Sequence, residues 1–159
     1  MAGEASGGAR RILAATDFSE IGLAGVRCAF ALAGRDASVM LLHVIERHAE
    51  PNPLYAHYTP GRAPTEEQSA RQHAELRARL EALAPDDARA RGVRCQAWVE
   101  EGPEASDAIC AAAERFDADL VVLGSHGRTG VARVLLGSVA EQVLRHTRRS
   151  VVVIRPAHA

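Results

Sequence analysis

The chain has 159 residues, 47% of them hydrophobic and 25% charged, with 19 basic and 20 acidic side chains and a formal net charge of −1. That length suits one domain with a full core, and the near-neutral balance gives no electrostatic footing for general nucleic-acid or membrane-surface binding. Every one of the basic side chains is arginine, which excludes a P-loop lysine, Schiff-base chemistry and a pyridoxal phosphate anchor.

Cys28, Cys95 and Cys110 form no C-x-x-C pair and are odd in number, so neither a zinc site nor a disulfide framework is indicated and free buried thiols are expected. No apolar run approaches a membrane span, and MAGEASGGAR lacks the apolar region of a signal peptide. A reduced, cytoplasmic setting is the expectation, with no membrane partner.

Residues 1–9 are small, polar and glycine-rich and read as a disordered lead, leaving 10–159 as the folded domain. The apolar run 12–15 reads as a first buried strand. Thr16-Asp17-Phe18-Ser19-Glu20 turns it into a helix capped from within that stretch, with Ile21, Ala24, Cys28, Ala31 and Leu32 as its core stripe and Gly34 as its C-terminal stop. A second buried strand is expected over 38–45. Segment 46–64, with four prolines and two tyrosines, reads as a long mobile connection.

Thr65 and Gln68 form a capping box ahead of a helix whose apolar stripe is Leu76, Leu80 and Leu83, ending near Pro85. From Val93 to Glu100 apolar and polar residues alternate, the pattern of a strand with one wetter face and so of a sheet edge. Pro103 is placed at the first position of the next helix, which buries Ile109, Ala112, Ala113 and Phe116. A short apolar strand over 120–123 then breaks at Gly124. A polar loop follows, punctuated by Gly127 and Gly130. Gly137-Ser138 opens a further helix with core residues Val139, Val143 and Leu144, and 150–154 is the last strand. Strands alternating with helices give a parallel sheet with helices on both faces.

Glycines beside a helix start let a ligand approach backbone N–H groups at the positive end of the helix dipole, which suits an anion such as phosphate. The spacing G-x2-G-x9-G-S, carried by Gly124, Gly127, Gly137 and Ser138 between a strand and a helix, resembles the nucleotide loop of the universal stress protein family, ATP-binding subclass. The likeness runs from about Arg11 to Arg155. It implies an α/β fold, a single doubly wound sheet of five mainly parallel strands in the order 3-2-1-4-5, with the ligand crevice between strands one and four.

The same resemblance implies roles for individual residues. Asp17 would lie at the nucleoside end and accept hydrogen bonds from ribose or a base edge. Val44 would read adenine through its backbone, flanked by Ala15 and Leu123. Gly124 and Gly127 would form the ribose- and phosphate-proximal turn, and Gly137, Ser138 and Val139 would present amides to the terminal phosphates, Ser138 adding its hydroxyl. Arg128 and Arg133 could offset phosphate charge. Mg2+ would enter through the phosphates rather than through protein ligands, and no metal-binding side chains are assigned. Ala140 departs from the threonine common in ATP-binding members, so ADP or AMP compete with ATP as the ligand.

The implied function is an adenine-nucleotide-binding regulatory or stress-response module. It would form a homodimer through the final strand and act on an unknown protein partner. Two alternatives stay open: a slow ATPase or autophosphorylating protein, and a dimeric scaffold that binds no nucleotide. No catalytic residue is assigned. His126 is the titratable loop residue able to act as a base, but resembling proteins carry either histidine or arginine there.

Overall fold

The computed structural model describes residues 9–47, 64–126 and 136–156. In chain order the elements are β1 (Ala9–Ala15), α1 (Glu20–Leu32), β2 (Ala33–Glu46), α2 (Glu66–Glu81), α3 (Asp86–Ala90), β3 (Arg94–Gly102), α4 (Ala105–Arg115), β4 (Leu120–Gly124), α5 (Ser138–His146) and β5 (Ser150–Ile154). The strands are all parallel and lie in the order β3-β2-β1-β4-β5, the order implied by the resemblance.

Alternation along the strands builds two cores. Ile12, Ala14, Val39 and Leu41 pack with Val26 and Phe30 of α1 and Leu80 of α2. On the opposite face Leu13, Met40, Leu42 and Val121 pack with Ile109 and Ala113 of α4 and Val143 of α5. β1, central and covered on both sides, is apolar from Ile12 through Ala15, whereas the edge strand β3 alternates between exposed and half-buried residues along much of its length. Each large aliphatic side chain fully buried in this way contributes on the order of 1.5–3 kcal/mol.

The helix starts follow their caps. Ser19 Oγ accepts from the Gly22 N–H at 3.1 Å, and the Thr65 capping box closes in both directions, Gln68 N–H to Thr65 Oγ1 at 3.2 Å and Thr65 N–H to Gln68 Oε1 at 2.8 Å.

Several local expectations are corrected. The lead is shorter than read, because Ala9 already belongs to β1 and pairs with Ala33; residues 1–8 lie outside the described residues. Gly34 does not stop α1. The helix ends on an extended Ala33, β2 begins there, and the left-handed position falls instead at Asp36 with φ 58°. The buried stripe of α1 is Gly22, Gly25, Val26, Ala29 and Phe30, while Leu32 is exposed. The α1 backbone lies close to the end of β4: a Cβ on Gly124 would come within 3.3 Å of the Gly22 nitrogen and the Ile21 carbonyl carbon, whereas one on Gly25 would only make ordinary contact with Leu123 at 3.7 Å.

Pro85 starts a short helix, α3, rather than only ending α2. Pro103 precedes α4 by two residues, since Glu104 is the N-cap. Leu144 is 44% exposed, and Ala140 takes the buried place beside Val143. The three cysteines are free, as expected, but half-buried rather than buried. Of segment 46–64, Glu46 closes β2 and Arg47 pairs with Glu101 at 2.5 and 2.8 Å; residues 48–63 lie outside the described residues.

Candidate functional site

The carboxyl ends of β1 and β4 sit side by side at the centre of the sheet, so the loops that follow them diverge to opposite faces and leave a crevice between. A cavity of about 650 Å3 lies there. Its walls include Ala15 and Asp17 after β1, Val44 near the end of β2, Leu123 and Gly124 ending β4, and Gly137, Ser138 and Val139 at the start of α5. Eight of the ten residues expected from the sequence therefore meet around one space. The other two, Gly127 and Arg128, and with them Arg133, lie outside the described residues.

The β1 side is a chain of short side chains that fold the backbone onto themselves. Thr16 Oγ1 accepts from the Phe18 N–H at 3.0 Å, Asp17 Oδ1 from the Ser19 N–H at 3.0 Å, and Ser19 Oγ then caps α1. Asp17 is thus both a turn-forming residue and part of the cavity wall. The two readings offered by the sequence, helix-start capping and ligand contact, are compatible in space. Gly22 makes room for this turn: a Cβ there would meet Asp17 Oδ1 and Thr16 Oγ1, both at 2.8 Å.

The β4 side is held by backbone. The Ser125 N–H donates to the Ile154 carbonyl at 2.7 Å, and the Gly137 N–H donates to the Ser125 carbonyl at 2.6 Å, which draws the start of α5 against the end of β4. A Cβ on Gly137 would lie 2.9 Å from that same Ser125 oxygen, and one on Gly124 would lie 2.8 Å from Ile21 Cγ2. Both positions require close backbone approach and leave no space for a side chain. Gly137 is the N-cap of α5 and supplies no side-chain acceptor. The N–H groups of Ser138, Val139 and Ala140 consequently have no intrahelical partner, and they carry the positive end of the helix dipole at the cavity wall.

Ser125 Oγ and His126 Nδ1 are 2.9 Å apart, and His126 Nε2 is buried without a hydrogen-bond partner among the described residues. No group of three or more metal-ligating side chains occurs among the described residues. Burial, reinforced by nearby carboxylates, pushes the thiols of Cys95 and Cys110 up, so they stay protonated and act as apolar filler.

The profile of the Universal stress protein family matches residues 8–155. The chain belongs to the universal stress protein family. It is 31% identical over 151 residues to Universal stress protein Sll1388 of Synechocystis, covering 91% of this chain and 97% of that one. A shorter match, 42% identical over 64 residues, spans 40% of this chain and 37% of Universal stress protein MJ0531 of Methanocaldococcus jannaschii. The match to Universal stress protein E of Escherichia coli spans only 18% of that longer protein.

Among solved structures, hypothetical protein MJ0577 superposes with a TM-score of 0.74 at 24% identity, covering 94% of this chain and 98% of that one. The universal stress protein from Archaeoglobus fulgidus in complex with dAMP superposes with a TM-score of 0.59 at 20% identity, covering 91% and 97% of the two chains. Another universal stress protein was solved in complex with cAMP, with a TM-score of 0.59 at 22% identity over 93% of this chain and 98% of that one. These likenesses support the fold of this family member.

Sequence reasoning did not single out Thr16, Gly22, His43 or Ser125 as parts of the site. A signal for the first existed: threonine, aspartate and serine at three positions within four residues are the types that close turns onto the backbone. A histidine inside an otherwise apolar strand also requires a hydrogen-bond partner. For Gly22 the signal was weaker, a glycine pair three apart on one helix face.

Proposed function

We propose that this universal stress protein holds an adenine nucleotide, ATP with ADP or AMP as competitors, in the cavity between β1 and β4, and acts as a nucleotide-dependent regulatory module in the cytoplasm. The observation that carries this reading is the convergence of Asp17, Val44, Gly124 and the uncapped amides of Ser138 and Val139 on one cavity. The fit is chemical as well as spatial. A carboxylate beside the β1 turn accepts from ribose hydroxyls, and first-turn amides without an intrahelical partner receive phosphate oxygens without any lysine. Gly127 and Arg128 complete the proposed loop. Mg2+ is proposed to arrive on the phosphates. Nucleotide complexes of family members with dAMP and cAMP agree with the ligand class.

β5 ends the sheet and, among the described residues, pairs only with β4, so its other backbone edge is available; its apolar residues 151–154 are half-buried. We assign that edge to homodimer formation, with a separate protein partner as the output. Val152→Lys should yield a monomer in sedimentation; an unchanged dimer places the contact elsewhere.

The nucleotide reading is tested by purifying the chain without added nucleotide, denaturing it in acid and quantifying what is released by chromatography. About one equivalent of ATP, ADP or AMP supports it. An empty protein that also fails to titrate with Mg2+ and ATP returns the scaffold reading. A hydrolytic role keeps one observation in its favour, the buried and unpartnered His126 Nε2. It requires phosphate release that disappears in His126→Ala while nucleotide binding persists.

A further inference from the structure

Between β1 and β2 the parallel ladder ends in one last backbone bond, Thr16 N–H to the Leu42 carbonyl at 2.9 Å. In a parallel pair, a residue that donates to one position of its neighbour accepts from the position two further on. The next rung would therefore take the Val44 N–H to the Thr16 carbonyl. That bond is absent among the described residues. The imidazole of His43 stands in its place, with Nδ1 2.8 Å from the Thr16 oxygen. A carbonyl only accepts, so Nδ1 carries the proton and donates.

His43 reaches this carbonyl because β1 leaves the ladder at once. Phe18 takes φ 62°, a conformation that a bulky residue keeps only where its surroundings hold it. Here its N–H is fixed on Thr16 Oγ1, its ring centroid lies 5.0 Å from that of His43, and the Arg79 guanidinium of α2 lies 4.0 Å from the same ring. Along β2, Leu42 and Val44 direct their backbone groups toward β1, as the Leu42 carbonyl shows, while the His43 side chain projects to the other face from theirs.

We infer that His43 is a positioning residue for base selection. By satisfying the Thr16 carbonyl it holds the β1–β2 fork open, leaving the Val44 N–H and C=O directed into the cavity as an adjacent donor and acceptor. That pair matches adenine, which offers an acceptor at N1 and a donor at N6. Guanine, with a donor at N1 and an acceptor at O6, leaves both backbone groups unsatisfied, the situation in which hydrogen-bonding sites discriminate strongly. The inference rests on the proposed nucleotide site and adds to it the residue that sets its preference for the base.

The test is calorimetric titration of ATP and of GTP into the nucleotide-free full chain, as wild type, His43→Leu and His43→Asn. Asparagine places an amide N–H near the position of Nδ1–H, whereas leucine fills similar space without a donor. Wild type should prefer ATP by about tenfold or more, His43→Leu should lose most of that ratio, and His43→Asn should recover it. A wild type that binds neither nucleotide sinks the reading of the site, and this inference with it. A wild type that binds both equally, or a leucine variant that keeps the full ATP preference, overturns the role of His43 alone.

Amide hydrogen exchange on the unliganded wild type decides the matter if the leucine variant does not fold. The Val44 amide should exchange fast beside a protected Leu42. Equal protection of the two means the fork is closed and the inference fails.

Discussion

At the N-terminal end of the strands, Asp119 accepts from the Arg10 and Arg11 amides at 2.9 and 3.1 Å, and Arg149 reaches Glu114 at 2.6 Å, Asp117 at 2.9 Å and the Ala118 carbonyl at 3.0 Å. Arg11 closes the same end by donating to the Phe116 carbonyl. At the C-terminal end the residue types are similar, but Asp17 lines a cavity and the first turn of α5 has no side-chain cap among the described residues. Polar groups at one end are consumed by the protein itself. At the other, Thr16, Asp17 and Ser19 also bond the backbone, but they do so along the wall of an open space, because the loops after β1 and β4 part to opposite faces. One end of the sheet is closed by its own polar contacts, and the other is the end to which the proposed ligand site is assigned.

The comparison can be broken most forcefully at Gly137. Gly137→Val brings Cβ to 2.9 Å from the Ser125 oxygen and pushes the start of α5 away from β4. Nucleotide affinity should fall by about a hundredfold, roughly 2.7 kcal/mol, with a stability cost of about 1–3 kcal/mol from overpacking. Calorimetric titration read beside a thermal melt checks both, and normal affinity removes the α5 amides from the site.

Asp17→Asn should cost about tenfold in affinity, roughly 1.4 kcal/mol. Its Tm should stay near wild type, since an asparagine oxygen still accepts from the Ser19 N–H. A large drop in Tm with affinity preserved would reduce Asp17 to a turn former. The opposite pattern is expected at the other end, where Arg149→Met should lower Tm and leave nucleotide affinity unchanged in the same two assays.

The smallest effect lies at Glu101, whose carboxyl is brought down from an ordinary value of 4.5 to about 2 by hydrogen bonds from Arg47 and His73. Because the folded-state value is depressed, its contribution is present above pH 4.5 and is lost as pH falls toward 2. The exposure of the pair keeps that contribution small. Denaturant melts of wild type and Glu101→Gln should differ modestly near neutrality and converge through that window; a gap independent of pH contradicts the ion-pair account.

Much of the architecture was legible from local pattern. The apolar runs 12–15, 38–45 and 120–123 can satisfy their character only inside a covered sheet, 150–154 reads as a last, half-covered strand, and the Thr65 capping box fixed a helix start to the residue. The edge position of β3 followed from its alternation. Eight of the site residues that the resemblance implied lie on one cavity, at the ends of β1, β2 and β4 and the start of α5.

What escaped depends on how neighbouring elements pack in space. Gly22 and Gly25 do not register as core residues because apolar periodicity counts side chains, whereas Gly22 is needed for the room it leaves to Asp17 and Thr16 in the turn after β1. Leu144 was assigned to the core although α5 turns Ala140 inward instead. The sequence by itself determined the alternation of strands and helices and hence a parallel sheet, since these follow from periodicity, caps and glycines along the chain, while the strand order and the place of the crevice came from the resemblance its glycine spacing carries. Only the tertiary structure decided that the imidazole of His43 takes the Thr16 carbonyl in place of Val44, because that contact joins residues 27 apart and exists only where two strands begin to separate.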